Sequence, residues 1–317
     1  MPAAPHREVE HDIAIAAPPD AVYRLIADVG NWPQIFGPTV HVERVGGADA
    51  WERIRIWATA NGTAKTWVSR RDLDPGARRI AFHQERSQPP VGGMSGEWVI
   101  EPLGGDRCRV RLLHAYHAVD GDPDGLAWID RAVDTNSRAE LGALAEHAEL
   151  AHAGSADGPL LTFDDTVDVD GHAKDVYDFL NEAGSWDTRL PHVARVSLEE
   201  PDPGLQILEM DTTTRDGGRH TTRSVRVCRP HTAIHYKQIQ VPALMSLHTG
   251  SWLIGERAEG GVSVTSRHTI RINEAAIGTV LGGGASLTEA RGFVREALGA
   301  NSRATLGHAK AYAEERA

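Results

Sequence analysis

Two hydrophobic periods alternate along this chain, and the same succession of periods is met twice. Near the start, alternating apolar and polar residues from His11 to Ala16 lead through Pro18-Pro19-Asp20 into Val22, Leu25 and Ile26, which share one face of a short helix. Farther on, Leu161 to Val169 leads through Gly171-His172 into Val176, Phe179 and Leu180 in the same manner. A second short helix is expected near Trp32 and again near Trp186. Period-two segments punctuated by Gly, Asp and Pro follow in the first half: Trp51 to Ala60, Ala64 to Leu73, Arg79 to Glu85, Gly96 to Glu101 and Cys108 to Ala118. Each half closes on a long helix, about Pro123 to Ala151 and about Ser286 to Glu315, with Ile129, Val133, Leu141, Leu144 and Ala148 on one stripe of the first.

The two halves align residue by residue. Val22-Tyr23 answers to Val176-Tyr177, Gly30-Asn31-Trp32 to Gly184-Ser185-Trp186, Ile80 to Ile234, Trp98 to Trp252 and His114 to His268, each at an offset of 154. In one strand the register slips to 155, which a difference in hairpin length explains: TWVSRRDLDP (Thr66 to Pro75) matches TTRSVRVCRP (Thr221 to Pro230), with Ser69 on Ser224 and Arg71 on Arg226. Asn136-Ser137-Arg138 and Asn301-Ser302-Arg303 lie 165 apart, so the second copy carries about eleven extra residues, placed by the glycine run in Gly278 to Thr288. The chain is a tandem duplication, and 317 residues suit two domains of about 150. His152 to Pro159, HAGSADGP, has linker composition, giving domains at 1–153 and 160–317 joined by 154–159. One strand, two small helices, a run of antiparallel strands and a long helix bury their apolar faces only if the sheet curls round the helix. The expected class is therefore α+β, each domain a curved antiparallel sheet round its C-terminal helix with a cavity between.

Composition narrows the functions. A net charge of −11 argues against general affinity for nucleic acid, although Arg70, Arg71, Arg78 and Arg79 could meet an acidic partner. No apolar run reaches the roughly 20 residues of a membrane span, and MPAAPHREVEHD lacks a signal pattern, so no membrane association and a cytoplasmic location are expected. Cys108 and Cys228 occupy non-equivalent places and read as buried thiols rather than a disulfide or zinc pair. None of the sixteen histidines falls in a metal-binding spacing, and no nucleophile elbow, phosphate loop or dinucleotide fingerprint is present, so neither metal nor organic cofactor is expected.

Strand alternation puts Trp67, Ser69 and Arg71 on one face and Ser224 and Arg226 on one face of the copy. Burying a guanidinium twice is costly and points to a polar anchor in an apolar cavity; the alternative is a pair of edge strands whose arginine heads reach water. Trp32, Trp186, Trp98 and Trp252 read as packing residues, while Trp57 and Trp67 suit a cavity walled by flat aromatic faces. His114 and His268 are the histidines best placed for proton transfer, with a satisfied core histidine as the alternative.

The segments HDIAIAAPPDAVYRLIADVGNWPQIF, TWVSRRDLDP, GEWVIEP and DTNSRAEL resemble the aromatase/cyclases of bacterial aromatic (type II) polyketide synthases, within the START/birch-allergen helix-grip superfamily. The first copy follows the single-domain pattern through W-P-x-x-F (Trp32 to Phe36) and W-V-S-x-R (Trp67 to Arg71), and the tandem arrangement resembles the family's two-domain branch. The resemblance implies two helix-grip domains and a poly-β-ketone substrate carried on an acyl carrier protein. The implied reaction is aldol closure of the first ring, carbon 7 on carbon 12 of a chain already ketoreduced at carbon 9, then dehydration and aromatisation. It matches Arg71 and Ser69 to the family's pocket residues, with carbonyl polarisation, anchoring and proton delivery through water as roles; Arg226 and Ser224 carry them in the second copy. Arginine is a poor base, so the base is left to water or His114. Trp32, Phe36, Trp67 and Trp98 would shape the first cavity, and Trp186, Arg189, His192, Tyr236, Trp252 and His268 would line the second. Two departures stand out. Gly37-Pro38-Thr39 occupies the place where single-domain members often carry a pocket tyrosine, and the second copy reads GSWDTRLPHV in place of W-P-x-x-F. The sequence leaves open whether both cavities turn over, or one cyclises while the other aromatises or supports. Rival readings on the same fold are a lipid or isoprenoid carrier and a stress-type chaperone or regulator.

Overall fold

The structure is a computed structural model that describes residues 6–60, 63–154, 157–213 and 218–317. Contacts divide the chain between residues 155 and 156 into two units; Ser155 and Ala156 of the expected linker lie outside the described residues.

The first unit runs β1 (Arg7–Ile15), α1 (Pro19–Ala27), α2 (Trp32–Ile35), β2 (Thr39–Ala48), β3 (Trp51–Ala60), β4 (Thr63–Asp74), β5 (Arg79–Gln84), β6 (Val91–Pro102), β7 (Cys108–Ala118) and α3 (Pro123–His152). The second repeats it as β8 (Leu160–Val169), α4 (Ala173–Asn181), α5 (Trp186–Arg189), β9 (Val193–Asp202), β10 (Leu205–Thr213), β11 (Arg219–Arg229), β12 (Ala233–Gln240), β13 (Met245–Glu256), β14 (Val262–Ile272), α6 (Ile277–Leu281) and α7 (Leu287–Glu314). Each unit has one seven-stranded antiparallel sheet, ordered β1-β7-β6-β5-β4-β3-β2 and β8-β14-β13-β12-β11-β10-β9. The class is α+β as expected.

Strand β2 is absent from the expected set. Its alternation is broken by bulges at Thr39/His41 and Arg44/Gly46 and ends in Gly46-Gly47, so its apolar positions do not keep one phase. Strand β6 starts five residues before its expected Gly96, because Gly92-Gly93 reads as punctuation. In the fold these glycines run beneath the His117 ring, which a Cβ at Gly93 would meet at 2.6 Å. The extra residues of the second copy form α6 and the glycine turn before α7, whose start is fixed by a capping box between Ser286 and Glu289.

The apolar stripe of α3 reaches the sheet through Leu141, Leu144, Ala145 and Ala148, which join Ile15, Val110 and Leu112 in the core of the first unit. Leu306, Ala309 and Ala313 of α7 do the same against Val169, Val262 and Val264. Midway along its length each long helix buries a serine, Ser137 in α3 and Ser302 in α7. Cys108 and Cys228 are free, buried thiols, pushed up to about 11 by desolvation. The surface arginines near Arg71 are paired within the chain, Arg70 with Asp72, Arg78 with Asp20 and Arg79 with Glu97.

Candidate active site

Strand pairing sets one inward row across each sheet. In the first unit it runs Glu52, Arg71, Phe82, Gly96, His114, and in the second Gln206, Arg226, Tyr236, Gly250, His268. Ser69 and Ser224 stand two residues before the arginines on the same face and are buried.

Arg71 and Arg226 are 1 % and 2 % exposed, which removes the edge-strand alternative. Both are held by the C-terminal end of the first helix. Arg71 Nη2 donates to the carbonyls of Ile26 (3.2 Å) and Ala27 (3.0 Å), and Arg226 Nη2 donates to Leu180 (2.6 Å). A helix C-terminus carries partial negative charge, so a cation there is favoured. Trp32 and Trp186 complete the clamp: each indole N–H donates to a carbonyl of the same helix, and the guanidinium lies over its ring at 5.2 and 5.3 Å. The sequence misses this second duty of the arginines, which leaves only part of each fork for a ligand. Nη1 of both arginines has no hydrogen-bond partner in the protein. Desolvation pulls Arg71 down to about 10, which leaves it a cation at neutral pH, and burial lowers Arg226 as well.

The halves then diverge. Glu52 Oε1 lies 3.5 Å from Arg71 Nε. The matching Gln206 is neutral and donates to Asn181 and Glu200.

The second unit encloses a cavity of about 120 Å3 lined by Ser224, Arg226, Trp186, His192, Trp252 and Thr305, among others. Tyr236, His248, His268 and Ser302 also line it and form one hydrogen-bonded cluster. His268 Nδ1 is 2.9 Å from His248 Nε2 and 3.1 Å from the Tyr236 hydroxyl, while His268 Nε2 is 2.7 Å from Ser302 Oγ and 3.1 Å from Ser266 Oγ. Burial lowers His268 to about 4 and His248 well below the usual imidazole range, so both rings are neutral. Gly250 makes room for the cluster, since a Cβ there would sit 2.5 Å from the Tyr236 hydroxyl oxygen.

In the first unit, His114 meets Ser137 Oγ at 3.5 Å through Nδ1 and the edge of Phe82, and desolvation lowers it to about 4. Phe36 stacks on Trp98 and meets Trp32 edge-on, while Trp67 packs with Trp32, Ile54 and Ile56. Glu140 is a residue that sequence reasoning passes over. It lies one turn after Ser137 on α3, at the place that Thr305 holds in the lining of the second cavity, and burial pushes its carboxyl up to about 7. The signal available was its spacing from the repeated Asn-Ser-Arg motif.

Two expected lining residues are placed elsewhere. Trp57 belongs to the opposite face of β3 from Ile54 and Ile56, where it packs against His41 and Arg55; the odd-even alternation that brings Trp67 inward turns Trp57 outward. Arg189 is absent from the cavity lining: its guanidinium pairs with Glu182 (2.7 Å) and covers Phe179 and Tyr312. Among the described residues no three side chains of His, Cys, Asp or Glu converge as a metal site.

Comparison with known proteins agrees with this architecture. The family model for polyketide cyclase / dehydrase and lipid transport matches twice, over residues 6–149 and 161–314. The chain is 51% identical over 298 residues to the granaticin polyketide synthase bifunctional cyclase/dehydratase of Streptomyces virginiae, covering 94% of this chain and 97% of that one. It is 43% identical to the actinorhodin polyketide synthase bifunctional cyclase/dehydratase of Streptomyces coelicolor, covering 97% of both. The crystal structure of the di-domain ARO/CYC BexL from the BE-7585A biosynthetic pathway superposes with a TM-score of 0.91 at 59% identity, covering 97% of this chain and 99% of that one. With both halves matched and the two-domain plan shared end to end, the chain belongs to the polyketide cyclase/dehydrase family, as a two-domain aromatase/cyclase enzyme.

Proposed function

We propose that the protein closes the first ring of a poly-β-ketone by aldol addition of carbon 7 to carbon 12, then dehydrates and aromatises it, on a chain ketoreduced beforehand and delivered by an acyl carrier protein in the cytoplasm. The observation that carries this reading is the duplicated inward row, in which a buried guanidinium and a histidine share one face of each sheet. A methylene between two carbonyls is already acidic, so the task is to hold the chain in one fold and to stabilise the enolate and alkoxide. Arg71 and Arg226 offer fixed positive charge for those oxygens, and Ser69 and Ser224 stand beside them for anchoring. In the first unit Glu140, with a carboxyl near 7, supplies a base that neutral His114 alone would supply weakly. Trp32, Trp67 and Trp98 in the first unit and Trp186 and Trp252 in the second give flat walls.

A lipid carrier has little use for the polar cluster of the second cavity. The experiment is to add the purified protein to a minimal synthase and ketoreductase and to resolve the products. Replacement of spontaneous shunt compounds by one aromatised product supports the proposal, and an unchanged shunt mixture rejects it.

A further inference from the structure

The cavity of the second unit holds chemistry that the matching positions of the first unit lack. Pairing makes Tyr236 the counterpart of Phe82, His248 of Met94 and Ser266 of Leu112. Three apolar side chains of the first unit are thus replaced by a hydroxyl, an imidazole and a second hydroxyl, all bonded round His268. Buried polar groups are costly unless satisfied, and this cluster is satisfied at every atom but one. His268 uses both ring nitrogens, and Ser266 and Ser302 bond to it and to each other. His248 Nδ1 has no partner in the protein, although His248 is 2 % exposed and lines the cavity. Nη1 of Arg226, on the same lining, is likewise unpaired.

Resting on the cyclase/dehydratase reading, we propose that His248 is the catalytic residue of the dehydration step, taking and returning its proton at Nδ1 while His268 shares the charge and Arg226 Nη1 faces the enolate oxygen. In a cyclised β-hydroxy ketone, Nδ1 removes the proton from the carbon between carbonyl and carbinol, and the C–H electron pair passes into the enolate. The carbonyl re-forms, the C=C bond forms, and the C–O bond breaks. The leaving oxygen takes the proton back from Nδ1 and departs as water, so the pair ends as it began. One proton lies between His248 Nε2 and His268 Nδ1 throughout, which spreads the transient positive charge over two rings. Beside an enolate that charge is paired, and the pairing offsets the desolvation that keeps both rings neutral in the free protein.

The test compares wild type, H248Q and H248M in the full chain, with substrate made in situ by minimal synthase and ketoreductase. H248Q keeps an amide nitrogen for His268 and deletes the imidazole Nδ1; H248M installs the residue of the matching position in the first unit. Thermal melting and circular dichroism identify the folded variants, and H248Q carries the test if H248M melts early. General acid–base catalysis is worth about 100-fold or more, so the expected result is a kcat for dehydration lower by about that factor, KM within about threefold, and accumulation of the cyclised carbinol. Aromatised product from H248Q at the wild-type rate overturns the assignment, as does a return to shunt compounds in place of the carbinol. A wild-type protein that leaves the shunt mixture unchanged rejects instead the cyclase reading on which the assignment rests.

Discussion

Glu52 Oε1 stands 3.5 Å from Arg71 Nε, and the position that faces Arg226 in the second half holds Gln206, so one buried guanidinium has a carboxylate beside it and the other does not. Removing one partner of a buried ion pair costs about 3–5 kcal/mol, because the remaining charge is left in a poor solvent. Leaving a carbonyl without its donor costs about 1–3 kcal/mol. Arg71→Ala is therefore expected to destabilise its unit more than Arg226→Ala destabilises the other, and Glu52→Gln to fall between them, because the stranded Arg71 cation keeps the Ile26 and Ala27 carbonyls and the Trp32 ring. Calorimetric transitions of the three variants check this; equal losses from the two arginine changes contradict it.

Acid sensitivity follows from the buried histidines. His114, His235 and His268 are each lowered to about 4, chiefly by desolvation. The unfolded chain binds protons at these positions near 6.5 and the folded chain does not, so their contribution is complete above about 6.5 and is lost as pH falls toward 4. Each can add a slope of at most about 1.4 kcal/mol per pH unit in that window. Urea midpoints between pH 7 and 4 are expected to fall, and His114→Gln is expected to flatten the fall; a flat profile in the native protein contradicts the burial of these rings.

Glu140 gives a limb of opposite origin. Its carboxyl is raised to about 7 by burial, so a role as base requires pH above that value. Ring closure is expected to rise through a limb near pH 7 and to drop at least about 100-fold in Glu140→Gln, with the limb lost. Rates measured from pH 5.5 to 8.5 decide it, and an unaltered profile in the variant removes Glu140 from the chemistry.

Gly250 holds space for a ring. A Cβ there would lie 2.4 Å from the Arg267 carbonyl oxygen and 2.5 Å from the Tyr236 hydroxyl oxygen, and the carbonyl belongs to the paired backbone and cannot give way. Gly250→Ala is expected to cost on the order of 1–3 kcal/mol and to impair turnover, whereas Gly255→Ala, whose nearest neighbour is 4.0 Å away, is expected to be silent.

What could be read in the sequence was what repeats. The offset of 154 locates both sheets and both long helices, and the Ser/Arg alternation places Arg71 and Arg226 indoors. What could not be read depends on partners that are remote in the chain. The arginines read as cavity anchors, yet much of each fork is occupied by helix carbonyls 44 to 46 residues earlier. Trp57 and Trp67 look alike in composition and differ only in strand parity, and β2 is hidden by its bulges. His248 carries no signal in the repeat, because the matching position in the first half is a methionine.

On the proposed function, the protein imposes one ring closure on a chain that would otherwise close at random. Carbon-13 connectivity of the product made by minimal synthase, ketoreductase and this protein, from doubly labelled acetate, tests it most directly. The account predicts a single aromatised ring joined between carbon 7 and carbon 12; the same scatter of connectivities with and without the protein would contradict it.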